Sequence, residues 1–139
     1  AIEQYLPTNN RSQLITKGSA QIILDAYNAN PTSMLAALQH FNTIKAPSKM
    51  VFLGDMFELG ESAQQEHQEI VDYLSNTNID EVYLIGSYFS NTIPQAKNCH
   101  KYKTFEALKS DFKNTTPKAS TILIKASRAM ALERIVSLF

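Results

Sequence analysis

The stretch ILDAYNANPTSM, which runs from Ile23 to Met34, joins an apolar strand to an amphipathic helix. Pro31 fits the first turn of that helix, because a residue there has no intrahelical partner for its N–H. The junction carries one carboxylate, one phenol and two carboxamides: Asp25, Tyr27, Asn28 and Asn30. Two interpretations stay open at this point: the side chains bind a ligand, or Asp and Asn simply serve the turn, as they commonly do.

The residues on either side of the junction predict a hairpin and a helix. Strands over Ser12–Thr16 and Ala20–Asp25 flank Lys17-Gly18-Ser19, which supplies a tight turn. A helical face then follows at three- and four-residue spacing: Met34, Leu38 and Phe41.

Helices and strands alternate from there to the end of the chain. The runs predicted to form strands are KMVFLGD, EVYLIG, CHKYK and STILIKAS. Ser62 is predicted to cap one helix, with Gln65 completing a capping box, and Thr104 is predicted to cap another. The segment RAMALERIVSLF predicts a closing helix with these residues facing inward: Met130, Ile135 and Leu138. Such alternation gives a largely parallel α/β sheet covered by helices on both faces, with the hairpin adding one antiparallel edge strand.

Polar residues follow three of the predicted strands. Ligands of open parallel sheets bind beyond the carboxyl ends of the strands, which selects the loops after Leu24, Leu53 and Ile124. The candidate binding residues in these loops are Asp25, Tyr27, Asn28, Asn30, Asp55, Glu58, Lys125, Ser127 and Arg128. Arg128 would begin the closing helix, where backbone N–H groups favour an anion. Carboxamides, carboxylates and cations together suit a zwitterionic ligand better than a hydrophobic one.

The composition excludes several classes of protein. The chain has 139 residues, is 44% hydrophobic and balances 13 basic against 13 acidic residues, so it predicts one folded domain without a nucleic-acid partner. Its apolar runs are shorter than the roughly 20 residues of a membrane span. Cys99 is the single cysteine, which excludes an internal disulfide and fits a reducing compartment. Widely separated histidines predict no metal site.

The glycine pattern limits what the chain does with nucleotides. Neither the phosphate-loop motif G-x-x-x-x-G-K-[ST] nor the dinucleotide fingerprint G-x-G-x-x-G is present. The second absence argues against a nicotinamide-dependent dehydrogenase. If the protein takes part in nucleotide chemistry, a segment outside this sequence supplies the phosphate site.

Several strings resemble, in order and spacing, the C-terminal domain of the Mur ligases that add D-alanyl-D-alanine. They are DAYNANPTSM from Asp25, FLGDMFELGE from Phe52 with His67 beyond it, and KASR from Lys125. NNRSQ, which contains Arg11, resembles the hinge that leads into this domain. The resemblance implies that residues 1–11 are a hinge from a missing ATPase domain. It also implies that residues 12–139 form a Rossmann-like three-layer sandwich.

The resemblance implies a cytoplasmic, ADP-forming ligase of peptidoglycan precursor synthesis. Its peptide substrate, UDP-N-acetylmuramoyl-tripeptide, would be activated as an acyl phosphate and then attacked by the amine of D-alanyl-D-alanine. ATP and Mg²⁺ would be held mainly by the missing central domain, so the domain alone would be inactive and would bind neither of them tightly. No metal-binding residue is assigned to the present chain.

The resemblance also assigns residues to the two ends of the site. Arg11 and Asp25 would contact the nucleotide, with Asp25 holding the ribose. Tyr27, Asn28 and Asn30 would lie between the nucleotide and the incoming amine. The residues near the dipeptide would be Lys125, Ser127 and Arg128.

This sequence departs from the family pattern at two positions. Leu24 stands where the family usually has an acid, and Ala126 stands where the K-G-S-R motif has glycine. If that glycine has a positive φ, alanine would add strain of roughly 1 kcal/mol.

Structural interpretations remain open beside these functional ones. His67, on an apolar helical face, is expected to brace the Gly54–Gly60 loop rather than to act in catalysis. Asp55 and Glu58 could be a solvated loop pair. The alternative function is a stand-alone Rossmann-like module that binds a nucleotide or a protein without catalysis. A phosphate loop encoded upstream of Ala1 would distinguish the ligase from the module.

Overall fold

A computed structural model describes residues 12–139, so the predicted hinge, including Arg11, lies outside the described residues. Within this range the strands are β1 (Gln13–Lys17), β2 (Ala20–Asp25), β3 (Lys49–Gly54), β4 (Glu81–Ile85), β5 (Cys99–Tyr102) and β6 (Thr121–Lys125). The α-helices are α1 (Pro31–Thr43), α2 (Ala63–Leu74), α3 (Ser87–Ser90) and α4 (Phe105–Phe112). Three 3-10 segments complete the elements of the described part of the chain: Gly60–Ser62, Arg128–Met130 and Leu132–Leu138.

The strands form one sheet in the order β1-β2-β6-β3-β4-β5. Among the strands of residues 12–139, only β1 and β2 pair in antiparallel fashion, and the other pairs are parallel. Lys17 pairs with Ala20, so the turn consists of Gly18 and Ser19, and Gly18 adopts a φ of +60°. The predicted parallel sheet with an antiparallel hairpin at its edge is confirmed.

Apolar side chains cover both faces of the sheet. On one face Leu38 of α1 and Val71 of α2 join a core that includes Val51 and Leu123. On the other face α4 and the C-terminal 3-10 segments pack against a second core, which includes Phe52, Ile122 and Ile124. Because alternate residues of a strand point to opposite faces, the fully buried strands β3 and β6 supply both cores. The predicted three-layer sandwich is therefore confirmed.

A buried lysine fixes the end of α1. The Lys49 Nζ donates to the carbonyls of Phe41, Asn42 and Ile44 at 3.1, 3.2 and 2.8 Å. These carbonyls lie at the helix C-terminus, where a positive charge is favourable. Burial lowers the pKa of Lys49, and the neighbouring Asp80 opposes that shift.

Two local predictions are wrong. Ser62 does not cap α2: its Oγ donates to the Leu59 carbonyl, and the Gln65 side chain donates to Glu69. The 3-10 turn ahead of α2 already places Ser62 outside the extended conformation that an N-cap residue adopts.

The predicted closing α-helix is instead two 3-10 segments, separated by Ala131 in the left-handed conformation at a φ of 52°. Leu132 and Ile135 are the fully buried residues, whereas Met130 and Leu138 are half-buried. A 3-10 helix has three residues per turn, so Leu132, Ile135 and Leu138 share one face. The sequence contains this three-residue spacing.

Ala126 carries no positive φ, since the described non-glycine residues with positive φ are Glu58 and Ala131. The strain expected from alanine in the KASR string is therefore absent. Ala126 is fully buried and packs against Gly54 of the neighbouring strand. A Cβ on Gly54 would lie 2.6 Å from the Ala126 Cβ and 2.9 Å from the Leu132 Cδ1. The glycine that this contact requires is on β3, opposite Ala126.

Gly54→Ala is expected to lower the free energy of unfolding by about 1–3 kcal/mol, because the added methyl overpacks the contact. Ala126→Gly in the same chain should recover part of this loss by removing the opposing methyl. Chemical denaturation of both single variants and the double variant measures the coupling. Strictly additive losses would show that the two positions do not share the space.

Candidate functional site

The carboxyl ends of β2, β6 and β3 lie side by side. Asp25 on β2 is the register partner of Lys125 on β6, and Lys125 is in turn the partner of Leu53 on β3. The Ser127 backbone N–H donates to the Asp55 carbonyl at 3.4 Å, which links the loops after β6 and β3. The prediction that these three loops share one edge of the sheet is confirmed.

An ion pair joins the first and third loops. The Lys125 Nζ lies 2.7 Å from Asp25 Oδ2, and the two side chains are 3% and 15% exposed. The same ammonium donates to the Asn28 carbonyl at 3.3 Å. Asp25 and Lys125 are 100 positions apart in the chain. The pair therefore fixes the start of the first loop against the centre of the sheet.

The loops after β2, β6 and β3 form one edge of the sheet, which we call the rim. Tyr27 and Arg128 meet further out on this rim. The Arg128 guanidinium carbon is 5.2 Å from the centroid of the Tyr27 ring, a cation–π geometry. Both residues are exposed, Tyr27 by 43%. The helix-terminus argument for an anion at Arg128 is wrong, because the segment there is a three-residue 3-10 turn. What Arg128 offers is its own charge, held beside an aromatic ring.

Asn30 ends the first loop as the N-cap of α1. Its Oδ1 accepts from the Ser33 N–H at 2.8 Å, and its own N–H donates to the Ser33 Oγ at 3.1 Å. This capping box gives Asn30 a structural role. The side chain of the neighbouring Asn28 is exposed, and its backbone carbonyl accepts the hydrogen bond from the Lys125 ammonium.

The Asp55 carboxylate is hydrogen-bonded to backbone N–H groups. It is 2% exposed, and its oxygens accept the N–H groups of Tyr88 and Phe89 at 2.9 and 3.0 Å. Gly86 lies directly beneath with a φ of +126°, and a Cβ there would be 2.2 Å from the Asp55 Cγ. Asp55 thus ties the end of β3 to α3, and its carboxylate is buried rather than exposed at the edge of the sheet.

His67 braces the loop after β3, as predicted. Its Nε2 accepts from the Met56 N–H at 2.9 Å, and its Nδ1 lies 2.6 Å from the Ala63 carbonyl. Since a carbonyl only accepts, Nδ1 carries the proton and the ring is the neutral tautomer. The ring is fully buried and stacks on Tyr88 at 4.9 Å.

The tip of this loop projects into solvent. Phe57 is 40% exposed, and Glu58 is exposed with a φ of 64°. Left-handed backbone costs an L-residue roughly 1–2 kcal/mol, so the loop holds Glu58 outward at some cost. Ser127, in contrast, is 8% exposed. Of the predicted site residues, those with exposed side chains are Tyr27, Asn28, Asn30, Glu58 and Arg128.

The rim combines a part-exposed carboxylate, an aromatic face and a guanidinium. A carboxylate suits vicinal hydroxyls, whereas a guanidinium suits a carboxylate of the ligand. Residues 12–139 contain no group of three or more His, Cys, Asp or Glu side chains that could hold a metal ion. Over the same range, no helix has both the length and the apolar character needed to cross a bilayer.

A three-layer α/β sandwich with such a rim defines a Rossmann-like domain. The family model described as Mur ligase, glutamate ligase domain, matches residues 10–128. The chain therefore belongs to the Mur ligase family, as its C-terminal domain.

Relatives and solved structures agree with this assignment. The UDP-N-acetylmuramoyl-tripeptide–D-alanyl-D-alanine ligase of Bacillus subtilis is 39% identical over 137 residues, which are 93% of this chain and 30% of the relative. The enzyme of the same name from Rickettsia prowazekii is 33% identical over 95% of this chain and 30% of its own length. The chain thus spans about 30% of the length of these curated relatives.

Two crystal structures share the fold. MurF from Acinetobacter baumannii matches with a TM-score of 0.76 at 30% identity, covering 94% of this chain and 30% of that one. MurF ligase from Thermotoga maritima in complex with ADP also matches with a TM-score of 0.76, at 26% identity over 93% of this chain and 30% of that one.

Gly86 is not among the site residues predicted from the sequence. A glycine directly after a buried strand was the available signal, because tight packing at a strand end favours a residue without a side chain. The carboxylate that occupies this space is 31 residues upstream, since Asp55 precedes Gly86 by that interval. Only the fold shows that the two positions meet.

Gly86→Ala is expected to destabilise the domain by about 3 kcal/mol or more, through strained φ and displacement of Asp55 from its two N–H donors. Gly18→Ala is the matched control, since Gly18 also has a positive φ but nothing within 4 Å of an added Cβ. That control should lose about 1–2 kcal/mol. Thermal and chemical unfolding measure both, and equal losses would refute the role of the Asp55 contact.

Proposed function

We propose that the chain is the C-terminal domain of an ADP-forming ligase that joins D-alanyl-D-alanine to UDP-N-acetylmuramoyl-tripeptide. The observation that carries the proposal is the convergence of Asp25, Lys125, Tyr27 and Arg128 on one rim of a Mur ligase domain. The names of the curated relatives support the substrates, and the ADP complex of a related structure supports ATP as the energy source.

Asp25 is the proposed contact for the nucleotide. Its carboxylate is a natural acceptor for the two vicinal hydroxyls of a ribose. Oδ2 already accepts from Lys125, and the structure shows no second partner for this side chain among residues 12–139. One oxygen therefore remains for the ligand. Arg11, which lies outside the described residues, would reach the nucleotide from the hinge.

Arg128 is the proposed contact for the dipeptide carboxylate. A guanidinium forms strong, bidentate hydrogen bonds with a carboxylate, and Tyr27 holds it in place from one side. Asn28 and Glu58 expose a carboxamide and a carboxylate on the same edge of the sheet, which suits the amine end of the incoming substrate. Asn30 and Ser127 would shape this part of the rim through the backbone contacts that they make.

The chemistry itself needs parts that the present sequence lacks. Activation of the peptide carboxylate as an acyl phosphate is a phosphoryl transfer, and its transition state requires a phosphate cradle and Mg²⁺. We assign the phosphate cradle and the Mg²⁺ site to the central domain of the ligase. The ligase as a whole is proposed to act in the cytoplasm. The present domain would bring the amine to the acyl phosphate and close over the nucleotide, so its contribution is positioning.

Purified alone, the domain should release no ADP from ATP in the presence of Mg²⁺, peptide precursor and D-alanyl-D-alanine. A coupled ADP assay measures this, with the complete ligase as the positive control. ATP-dependent turnover by residues 1–139 by themselves would contradict the proposed division of labour.

In the complete ligase, Asp25→Asn should raise the KM for ATP, and Arg128→Met should raise the KM for D-alanyl-D-alanine. Each change removes a hydrogen bond to a charged group, so we expect about a tenfold effect or more. Lys109→Met, an exposed lysine on α4, is the control and should change neither constant. If both variants raised the same constant, the two ends of the site would be assigned incorrectly.

A further inference from the structure

We propose that Lys125 is a positioning residue for the nucleotide end of the site, and that it does not contact the dipeptide. This inference rests on the proposed function of Asp25. It differs from the expectation, based on family resemblance, that Lys125 lies at the dipeptide end. The proposed action is to hold the Asp25 carboxylate and the Asn28 carbonyl in the geometry that receives a ribose.

Burial separates Lys125 from the other cation of the KASR string. The Lys125 side chain is 3% exposed, whereas Arg128 is exposed on the rim. Lys125 is also the last residue of β6, held in register with Asp25 on one side and Leu53 on the other. A side chain so enclosed can reach a ligand only through the groups that cover it.

The hydrogen bonds of the ammonium are directed at the first loop. Of three possible donors, one meets Asp25 Oδ2 at 2.7 Å and one meets the Asn28 carbonyl at 3.3 Å. The two acceptors bracket the turn that also contains Ala26 and Tyr27. A single charge thus closes this turn and fixes which way the carboxylate faces.

The ion pair leaves Asp25 usable as a ligand contact. Its side chain is 15% exposed, five times the fraction of Lys125, and Oδ2 is the oxygen that the lysine engages. A carboxylate held by one oxygen presents the other in a fixed direction. Such preorganisation lowers the entropy lost on binding. Without the ammonium, the carboxylate would rotate and Asn28 would lose its restraint.

The test uses the complete ligase and compares ATP with 2′,3′-dideoxy-ATP, which lacks the ribose hydroxyls. In the wild type, loss of the hydrogen bonds to Asp25 should raise the KM of the analogue about tenfold over that of ATP. Lys125→Met should bring this ratio close to one by raising the KM for ATP. The KM for D-alanyl-D-alanine should stay within about twofold of the wild type. A purely structural loss would raise both nucleotide constants together and leave the ratio unchanged.

Asp25→Asn is the reference for loss of the charged acceptor of the ribose hydroxyls, and Lys109→Met controls for the loss of a lysine. The double variant Asp25→Asn, Lys125→Met removes both charges of the pair. It therefore tests the same point if Lys125→Met alone fails to fold. Its nucleotide constants and its KM for the dipeptide should equal those of Asp25→Asn.

Either of two results would overturn the role of Lys125. One is that Lys125→Met keeps the wild-type ratio of the KM for 2′,3′-dideoxy-ATP to the KM for ATP. The other is that the double variant has a higher KM for the dipeptide than Asp25→Asn. The proposed function would survive either result. A ratio near one in the wild type itself would instead overturn the ribose contact of Asp25, and the inference about Lys125 with it.

Discussion

The ion pair between Asp25 and Lys125 is the interaction on which the rim depends. A buried ammonium without a partner costs several kcal/mol, so the lysine at the end of β6 requires acceptors within reach. Parallel register places Asp25 directly opposite on β2, at an Nζ–Oδ2 distance of 2.7 Å. The same charge then satisfies the Asn28 carbonyl, so the pairing of two strands also determines the course of the following loop.

A second set of buried polar groups does similar work after β3. Asp55 caps α3 through two backbone N–H groups, and His67 accepts the Met56 N–H. Both side chains accept hydrogen bonds from backbone N–H groups. These bonds fix the base of the loop after β3, whereas the tip of that loop is exposed. The rim thus has two kinds of polar residue. The buried ones shape the backbone, whereas Arg128 is exposed and is the residue that we propose for the dipeptide carboxylate.

Much of this architecture is readable from local patterns. The alternation of elements, the hairpin at Gly18 and the start of α1 at Pro31 follow from periodicity and turn chemistry, and the structure confirms them. The closing segment was predicted as an α-helix because apolar residues three positions apart, such as Ile135 and Leu138, share a face in an α-helix as well as in a 3-10 helix. Ala126 has no positive φ, so the condition for strain there is not met. Its close approach to Gly54 on the neighbouring strand is a tertiary contact that no local pattern reveals.

The sequence by itself determined which residues end the strands, because apolar runs and the polar residues that interrupt them are local features of the chain. The sequence therefore predicted the rim, and its motifs carried the resemblance to the family. Only the tertiary structure decided what each polar residue does there. Asp25 and Lys125 are 100 positions apart, and Asp55 and Gly86 meet from different strands. Burial and partner choice arise from strand order, which a linear pattern does not contain.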